Sequence, residues 1–175
     1  NADLLKDFME EKISLQLKDL ASFLPGERLY AAKEVLQQVE ILLAGSEVER
    51  AQVRLAQAEG KLLEIQELIK NGKMSLATTM VRNYSDQMEQ FILRINKENF
   101  EELHDKLTAL VTQQVQQIKV LTAIEQSLKA DGQKELRQEV RKVIQVTLRK
   151  LIIALKQFSG TVPRQLVYQL KHIFD

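Results

Sequence analysis

The sequence predicts an all-α protein, an elongated antiparallel helical bundle or a stack of αα-hairpins with six to seven helices. Three observations carry this. Only two prolines interrupt 175 residues, and proline is the strongest helix breaker. Apolar residues recur at spacings of three and four over most of the chain, the period of one helix face. No stretch of useful length shows the alternation of a strand. Connections of two to five residues between long periodic segments make neighbouring helices antiparallel.

The first helix is expected from Asp3, a capping residue, to about Phe23. Leu4, Phe8, Ile13, Leu15, Leu17 and Leu20 supply its apolar content, with imperfect periodicity. Leu24-Pro25-Gly26-Glu27 follows. Proline sets an extended residue before it and glycine permits positive φ after it, so a tight turn falls here. A second helix is expected over 27–44, with Leu29, Val35, Leu36, Val39, Leu42 and Leu43 as its stripe and Gly45 as its C-cap. Ser46 and Glu49 have the spacing of a capping box. The third helix has the clearest pattern: Val48, Ala51, Leu55, Ala58, Leu62, Ile65 and Ile69 form a narrow, coiled-coil-like seam. Intramolecular pairing satisfies that seam without the entropic cost of association, so it is preferred over homodimerisation. Gly60 inside this helix costs about 1 kcal/mol against Ala and suggests a close helix contact. Asn71-Gly72 ends the helix.

Ser75 is the candidate cap of a fourth helix to about Ile95, with Leu76, Met80, Tyr84, Met88 and Phe91 one turn apart. Residues 96–99 read as a short break and a candidate subdomain boundary. A fifth helix to about Lys129 has Phe100, Leu103, Leu107, Val111, Val115, Ile118 and Leu121 as its buried face. After the turn at 130–132, a sixth helix over 133–158 carries a broad stripe from Leu136 to Leu155, so it is expected deep in the bundle. Ser159 to Pro163 breaks it, and a short last helix spans about 164–173. The expected organisation is an N-terminal helix (1–23), a main bundle (24–158) and a short C-terminal helix (159–175).

Composition narrows the chemistry. The chain has no cysteine, which rules out a disulfide framework, a thiolate metal site and a cysteine nucleophile. Its two histidines leave little for a His-based site. No G-x-G-x-x-G, G-x-x-x-x-G-K-[ST] or G-x-S-x-G run occurs. Glu101, Glu102 and His104 include one E-x-x-H pair; dimetal bundles use two such pairs plus two more glutamates, and His172 has no Glu three residues before it. A metal-dependent helical-bundle enzyme is therefore the weaker alternative, and no metal, cofactor or catalytic residue is expected. The carboxylate pairs Glu10–Glu11, Glu47/Glu49 and Glu64/Glu67 read as solvated faces with local ion pairs, such as Glu49 with Arg50 and Arg54. Gln113, Gln114, Gln116 and Gln117 are read as an exposed face.

Charge is unevenly spread. Residues 1–128 hold 15 basic against 20 acidic side chains, and residues 129–175 hold 10 against 4. Arg137, Arg141, Lys142, Arg149 and Lys150 stud helix six, a candidate polyanion face. A nucleic-acid module would add exposed aromatics or a docking motif; neither is found, and helical segments of opposite sign packing together is the preferred reading. The alternative function on this face is a cytoplasmic helical adaptor or nucleic-acid-associated module. The longest apolar run near the C-terminus, Leu151 to Leu155, is far short of the roughly 20 residues a membrane span needs. No signal peptide is visible, and a start at Asn1 rather than Met leads us to expect a signal or anchor upstream.

One segment stands out. Leu24, Pro25, Gly26, Glu27, Leu29 and Tyr30, with Lys33 three residues on, suggest a turn and helix-start anchor: the Tyr30 ring packs inside while its hydroxyl and the Lys33 amine find polar partners. With Arg50-Ala51, Ala58-Glu59, Gly72 and Tyr84 after it, this run resembles a family of helical domains of unknown function in bacterial exported or membrane-anchored proteins. In some members the domain follows the transmembrane helix of an anti-sigma-factor-like protein. The close resemblance covers about residues 23–90; a looser one, through Gln117, Val120 and Leu121, reaches about 158. Ala31 stands where members often have proline. The family has no established catalytic residues to carry over. What the resemblance implies is location and role: a non-catalytic interaction or sensing domain outside the cytoplasmic membrane, whose partner is a protein, a peptide or a cell-envelope component.

Overall fold

The computed structural model describes residues 2–95 and 100–157, together with Arg164, Tyr168 and His172. Within them lie six α-helices: α1 (Ala2–Leu20), α2 (Tyr30–Leu43), α3 (Glu47–Lys70), α4 (Met74–Arg94), α5 (Phe100–Ser127) and α6 (Lys134–Lys156). A single 3-10 turn, Asp131–Gln133, precedes α6, and no strand occurs among the described residues. The expected break at 96–99 and all but three residues of the expected C-terminal segment lie outside the described residues.

Four helices make the body. α3 packs on α4 and α5, and α6 closes the ring by packing on the same two. One apolar core runs from Tyr30 to Leu155 through this ring. Leu55, Leu62 and Ile65 of α3 meet Met80, Tyr84 and Phe91 of α4, Val115 and Ile118 of α5, and Val140 and Leu151 of α6, all fully or almost fully buried. The seam expected on α3 is thus filled within the chain. At about 25 cal/mol per Å2 of apolar surface removed from water, this burial is the main stabilising term.

Local chemistry sets the element ends. The Ser46 hydroxyl accepts from the Glu49 amide at 3.1 Å, as a capping residue should. The Glu49 carboxylate reaches back to the Gly45 N–H at 2.6 Å, one residue beyond the usual box. At the other end of α3, Gly72 takes φ +71, its N–H bonds the Ile69 carbonyl, and Lys73 bonds Leu68 at 2.8 Å. That is a Schellman closure, and it turns the chain directly into α4.

α1 and α2 form an outer hairpin. α1 packs on α2, and α2 packs on α3. α1 contributes nothing to the continuous core; its one buried apolar residue, Ile13, lies apart from it. Leu4, Phe8 and Leu15 are exposed, so this helix buries little of the apolar content that the sequence gives it.

Several expectations need correction. α2 starts at Tyr30, not Glu27, because residues 24–30 form consecutive turns. Its buried face is Tyr30, Lys33 and Ile41, while Leu29, Val35 and Leu42 are exposed. A lysine sits in the inward row, so an apolar count misplaces the stripe. Gly60 makes no close contact: a Cβ there would meet nothing within 4 Å. Gly45 is not a left-handed cap, since only Gly26 and Gly72 have positive φ among the described residues. The broad stripe of α6 from Leu136 to Leu155 is buried against α4 and α5, while its outer side, with Arg141, Arg149 and Ile153, is exposed.

The glutamine reading also changes. Gln114 is 0% exposed and Gln117 is buried; Gln116 alone of the four is fully on the surface, with Gln113 between. Gln117 donates to the Leu55 carbonyl at 2.7 Å and accepts from the Tyr84 hydroxyl at 3.2 Å. This bridge crosses the ring from α4 to α5 and on to α3. Gln114 has only the Met88 sulfur as a partner at 3.5 Å, and its Oε1 has none.

The Leu24–Glu27 turn gives a direct test. Gly26 has φ +89, and a Cβ there would stand 3.3 Å from Leu76 Cδ1. Gly26→Ala is expected to cost about 1–2 kcal/mol, read as a lower urea midpoint with unchanged slope.

Candidate interaction site

The polar centre of the molecule is built by the Leu24–Lys33 segment and α3. Pro25 at the second turn position and Gly26 with positive φ at the third give a type II turn. The Glu27 amide closes it on the Leu24 carbonyl at 3.1 Å. The Glu27 carboxylate accepts from the Leu24 N–H at 2.6 Å. Pro25 is buried, Leu24 half-buried and Leu29 exposed. The turn therefore aims the start of α2, not Leu29, at α3.

Tyr30 and Lys33 are one turn apart on α2 and meet the same residue, Glu64 of α3. The Tyr30 hydroxyl donates to Glu64 Oε2 at 2.7 Å. The Lys33 ammonium is ion-paired with Glu64 Oε1. It also donates to the carbonyls of Ala21 and Phe23, at 3.1 and 3.3 Å. An ammonium has three N–H donors, and all three are used. Those carbonyls lie just past the end of α1, where a helix leaves acceptors unpaired and favours a cation. Lys33 thus caps α1 from α2 while Glu64 neutralises it from α3. The side chains of Lys33 and Glu64 are only 8% and 6% exposed.

The environment fixes the protonation of Tyr30. Burial pushes its pKa well above the ordinary tyrosine value, and the hydrogen bond to Glu64 adds to the shift. The hydroxyl is therefore protonated at neutral pH and donates to Glu64. Tyr84 is raised in the same direction, by burial alone.

Beside the clamp lies an open groove of about 730 Å3 between α1, α2 and α3. Leu17 and Ala21 form one wall, and Ala56, Gly60 and Leu63 form the other. Leu63 is largely exposed. Leu5 and Phe8 of α1 do not line this groove; they are exposed on another side of the helix, Phe8 by 55%.

The other candidates separate. Arg137 and Arg141 of α6 both pair with Glu125 of α5, at 3.0 and 2.6 Å. Lys150 pairs with Glu89 of α4. Lys142 and Arg149 remain exposed. Three of the five basic residues thus bind the body rather than forming an open cationic face. Glu47 pairs with Arg50 and Arg94, while Glu49 is used as a cap. Glu101, Glu102 and His104 lie on α5, but their side chains are outside the described residues. Among the described residues no group of three His, Asp or Glu side chains gathers to hold a metal, and no helix is long and apolar enough to cross a membrane.

Glu64 is the residue that the sequence reading missed, taking it for a solvated partner of Glu67. A signal was present: Gln57, Glu64 and Leu68 fall at spacings of seven and four, a second inward row beside the seam. α3 touches three helices, and this row faces α2.

Fold and clamp together define a helical-bundle domain with a locked N-terminal hairpin. A family model described as a domain of unknown function, DUF5667, matches residues 22–131, more than half of the chain, and the chain belongs to that family. No curated protein and no solved structure matches it.

Two outcomes follow from the geometry. Lys33→Met leaves Glu64 charged and buried, and Glu64→Gln leaves the ammonium without its counter-charge. Each is expected to lose about 3 kcal/mol or more, while the double replacement loses much less than the sum, as measured by urea unfolding. Glu125 gives a pH dependence. Burial alone would raise its pKa, but hydrogen bonds from Arg137 and Arg141 hold it below the usual carboxylate range. Its folded pKa lies below its unfolded one, so its stability is present above about pH 4.3 and is lost as pH falls through the folded value. Glu125→Gln is expected to flatten that part of the acid-unfolding curve.

Proposed function

We propose that the chain is a non-catalytic, extracytoplasmic interaction domain of a bacterial membrane-associated or secreted protein. It binds a protein or peptide through the apolar side of the α1–α2 hairpin. One observation carries the reading: α1 is fixed to the body at its C-terminal end, yet leaves Leu4, Leu5, Phe8 and Leu15 exposed. A soluble domain rarely leaves such a row bare unless something covers it. The groove lined by Leu17, Ala21 and Leu63 lies on another side of α1 and is a separate surface. The resemblance of the Leu24–Lys33 run to exported and membrane-anchored domains supports the location. The pairing of Arg137, Arg141 and Lys150 with carboxylates leaves the nucleic-acid reading without a specific observation in its favour.

The test uses the full-length protein in its native cell. A photo-crosslinking residue is placed at Phe8 and, as control, at Asp131, and protease is added outside intact protoplasts. The reading expects a discrete cross-linked species from position 8 and none from 131, with the domain digested from outside. A domain protected inside the cell, or equal cross-linking from both positions, overturns it.

A further inference from the structure

α4 and α6 run in the same direction, and two ion pairs set their register from outside. Arg82 of α4 meets Glu139 of α6 at 3.4 Å, and Glu89 pairs with Lys150 further along. Residues three and four apart share a helix face. The outer groove between the two helices therefore continues from Glu89 to Leu93 on α4 and from Lys150 to Ile153 on α6. Leu93 is 61% exposed and Ile153 is 56% exposed. One turn back from Glu89 and Lys150 lie Ser85 and Val146, both half-buried. From one end to the other the groove thus presents an ion pair, a serine and a valine, a second ion pair, and two exposed apolar side chains.

Single exposed apolar residues are ordinary, but apolar residues gathered at one place mark a contact surface. Leu93 and Ile153 stand at the same level of adjacent helices, one turn before α6 ends at Lys156. The other outer groove of α6, toward α5, is crossed by Arg137 and Arg141 on their way to Glu125. The exposed row of α1 lies beyond α3 and α2, away from α6.

The chain that leaves α6 has the residues to fill this groove. In residues 158–175, Ser159, Gly160 and Pro163 are turn formers, and a connection of about six residues sets consecutive helices antiparallel. Beyond it, Leu166, Leu170 and Ile173 recur at spacings of four and three, one apolar row of a helical period. Arg164, Tyr168 and His172 recur at spacings of four on the opposite side of that period, and all three are exposed. The His172 N–H donates to the Tyr168 carbonyl at 3.2 Å, the bond of a helical turn, and the two rings meet at 4.2 Å. The polar row faces water, which leaves the apolar row for a protein surface. At about 1.5 Å per residue, a helix over 164–173 spans about 15 Å, enough to cover the groove from Leu93 back to Ser85.

We propose that residues 164–173 fold back antiparallel to α6 and lay Leu166, Leu170 and Ile173 into the outer α4–α6 groove, over Ile153 and Leu93. The occupant is this chain's own C-terminal segment. Docking withdraws its apolar row from other partners and presents Arg164, Tyr168 and His172 in its place. The contact is on a different face of the bundle from α1 and stands or falls without the reading of that helix.

Residue-level hydrogen exchange of the 175-residue chain, compared with Ile153→Asp and Leu93→Asp, reads the contact. Both side chains are exposed, so the bundle folds with either charge. Wild-type amides over 166–173 are expected to exchange about tenfold or more below unprotected rates, and each variant to remove that protection while the α3–α6 ring keeps its own. Leu63→Asp, on an equally exposed position of α3, is the control and is expected to change nothing over 166–173. The chain has no cysteine, so a disulfide gives a second arm. Ile153→Cys with Leu166→Cys is expected to close within one chain, and Val120→Cys with Leu166→Cys to stay reduced, because a disulfide forms only between close Cα atoms. Unprotected amides over 166–173 in the wild type, protection that survives both Asp variants or falls equally in Leu63→Asp, or equal oxidation of the two cysteine pairs overturns the proposal. Protection that rises with protein concentration, or a disulfide between chains, puts the segment on a second copy and overturns it as well.

Discussion

One buried ion pair ties the N-terminal hairpin to the bundle: Lys33 of α2 against Glu64 of α3. Three elements converge on it. The ammonium ties off the carbonyls beyond α1, the carboxylate comes from the bundle, and the Tyr30 hydroxyl completes the carboxylate's coordination. Isolated surface pairs contribute little, but this one is out of water and fully hydrogen-bonded. Its value is less in net stability than in geometry, since an apolar trio of the same shape would fold about as tightly. What such a trio would not do is bind the end of α1. The hairpin would then rest on the sparse apolar contacts between α1 and α2.

The bundle behind the clamp follows a different logic. Its ring is mainly apolar and is crossed by one hydrogen-bonded bridge, where Tyr84, Gln117 and the Leu55 carbonyl link α4, α5 and α3. A polar layer costs stability and fixes register, because a shifted helix leaves each member unpaired. Gln114 shows the cost: it is fully buried beside this layer with one acceptor unmet. The basic side of α6 serves the same end from outside. Glu125 draws in Arg137 and Arg141, and Glu89 draws in Lys150, so the opposite charges of the two halves of the chain help seat α6.

Much of the fold was legible because the bundle follows period and punctuation. The α3 seam, the Ser46 cap and the Asn71-Gly72 stop can be read from spacing, and all six helices lie where periodicity places them, within a few residues. The failures share a cause. Glu64, Gln114 and Gln117 are polar residues in inward rows, and a reading that sorts polar from apolar puts them outside. Each sits on a row that spacing alone would include, such as Leu107, Val111, Gln114, Ile118 and Leu121. Their burial depends on a partner tens of residues away, 31 in the case of Lys33 and Glu64, and no local window contains both. The Pro-Gly turn and the Tyr-Lys spacing marked one half of the clamp; the other half needed the fold.

The clamp, not apolar burial, holds α1 on the body. Residue-level hydrogen exchange of wild type and Lys33→Met addresses it directly. The α1 amides of the variant are expected to exchange at close to unprotected rates while the α3–α6 ring remains strongly protected. If α1 keeps its wild-type protection, or if α1 and the ring lose protection in equal measure, the clamp does not do what is claimed for it.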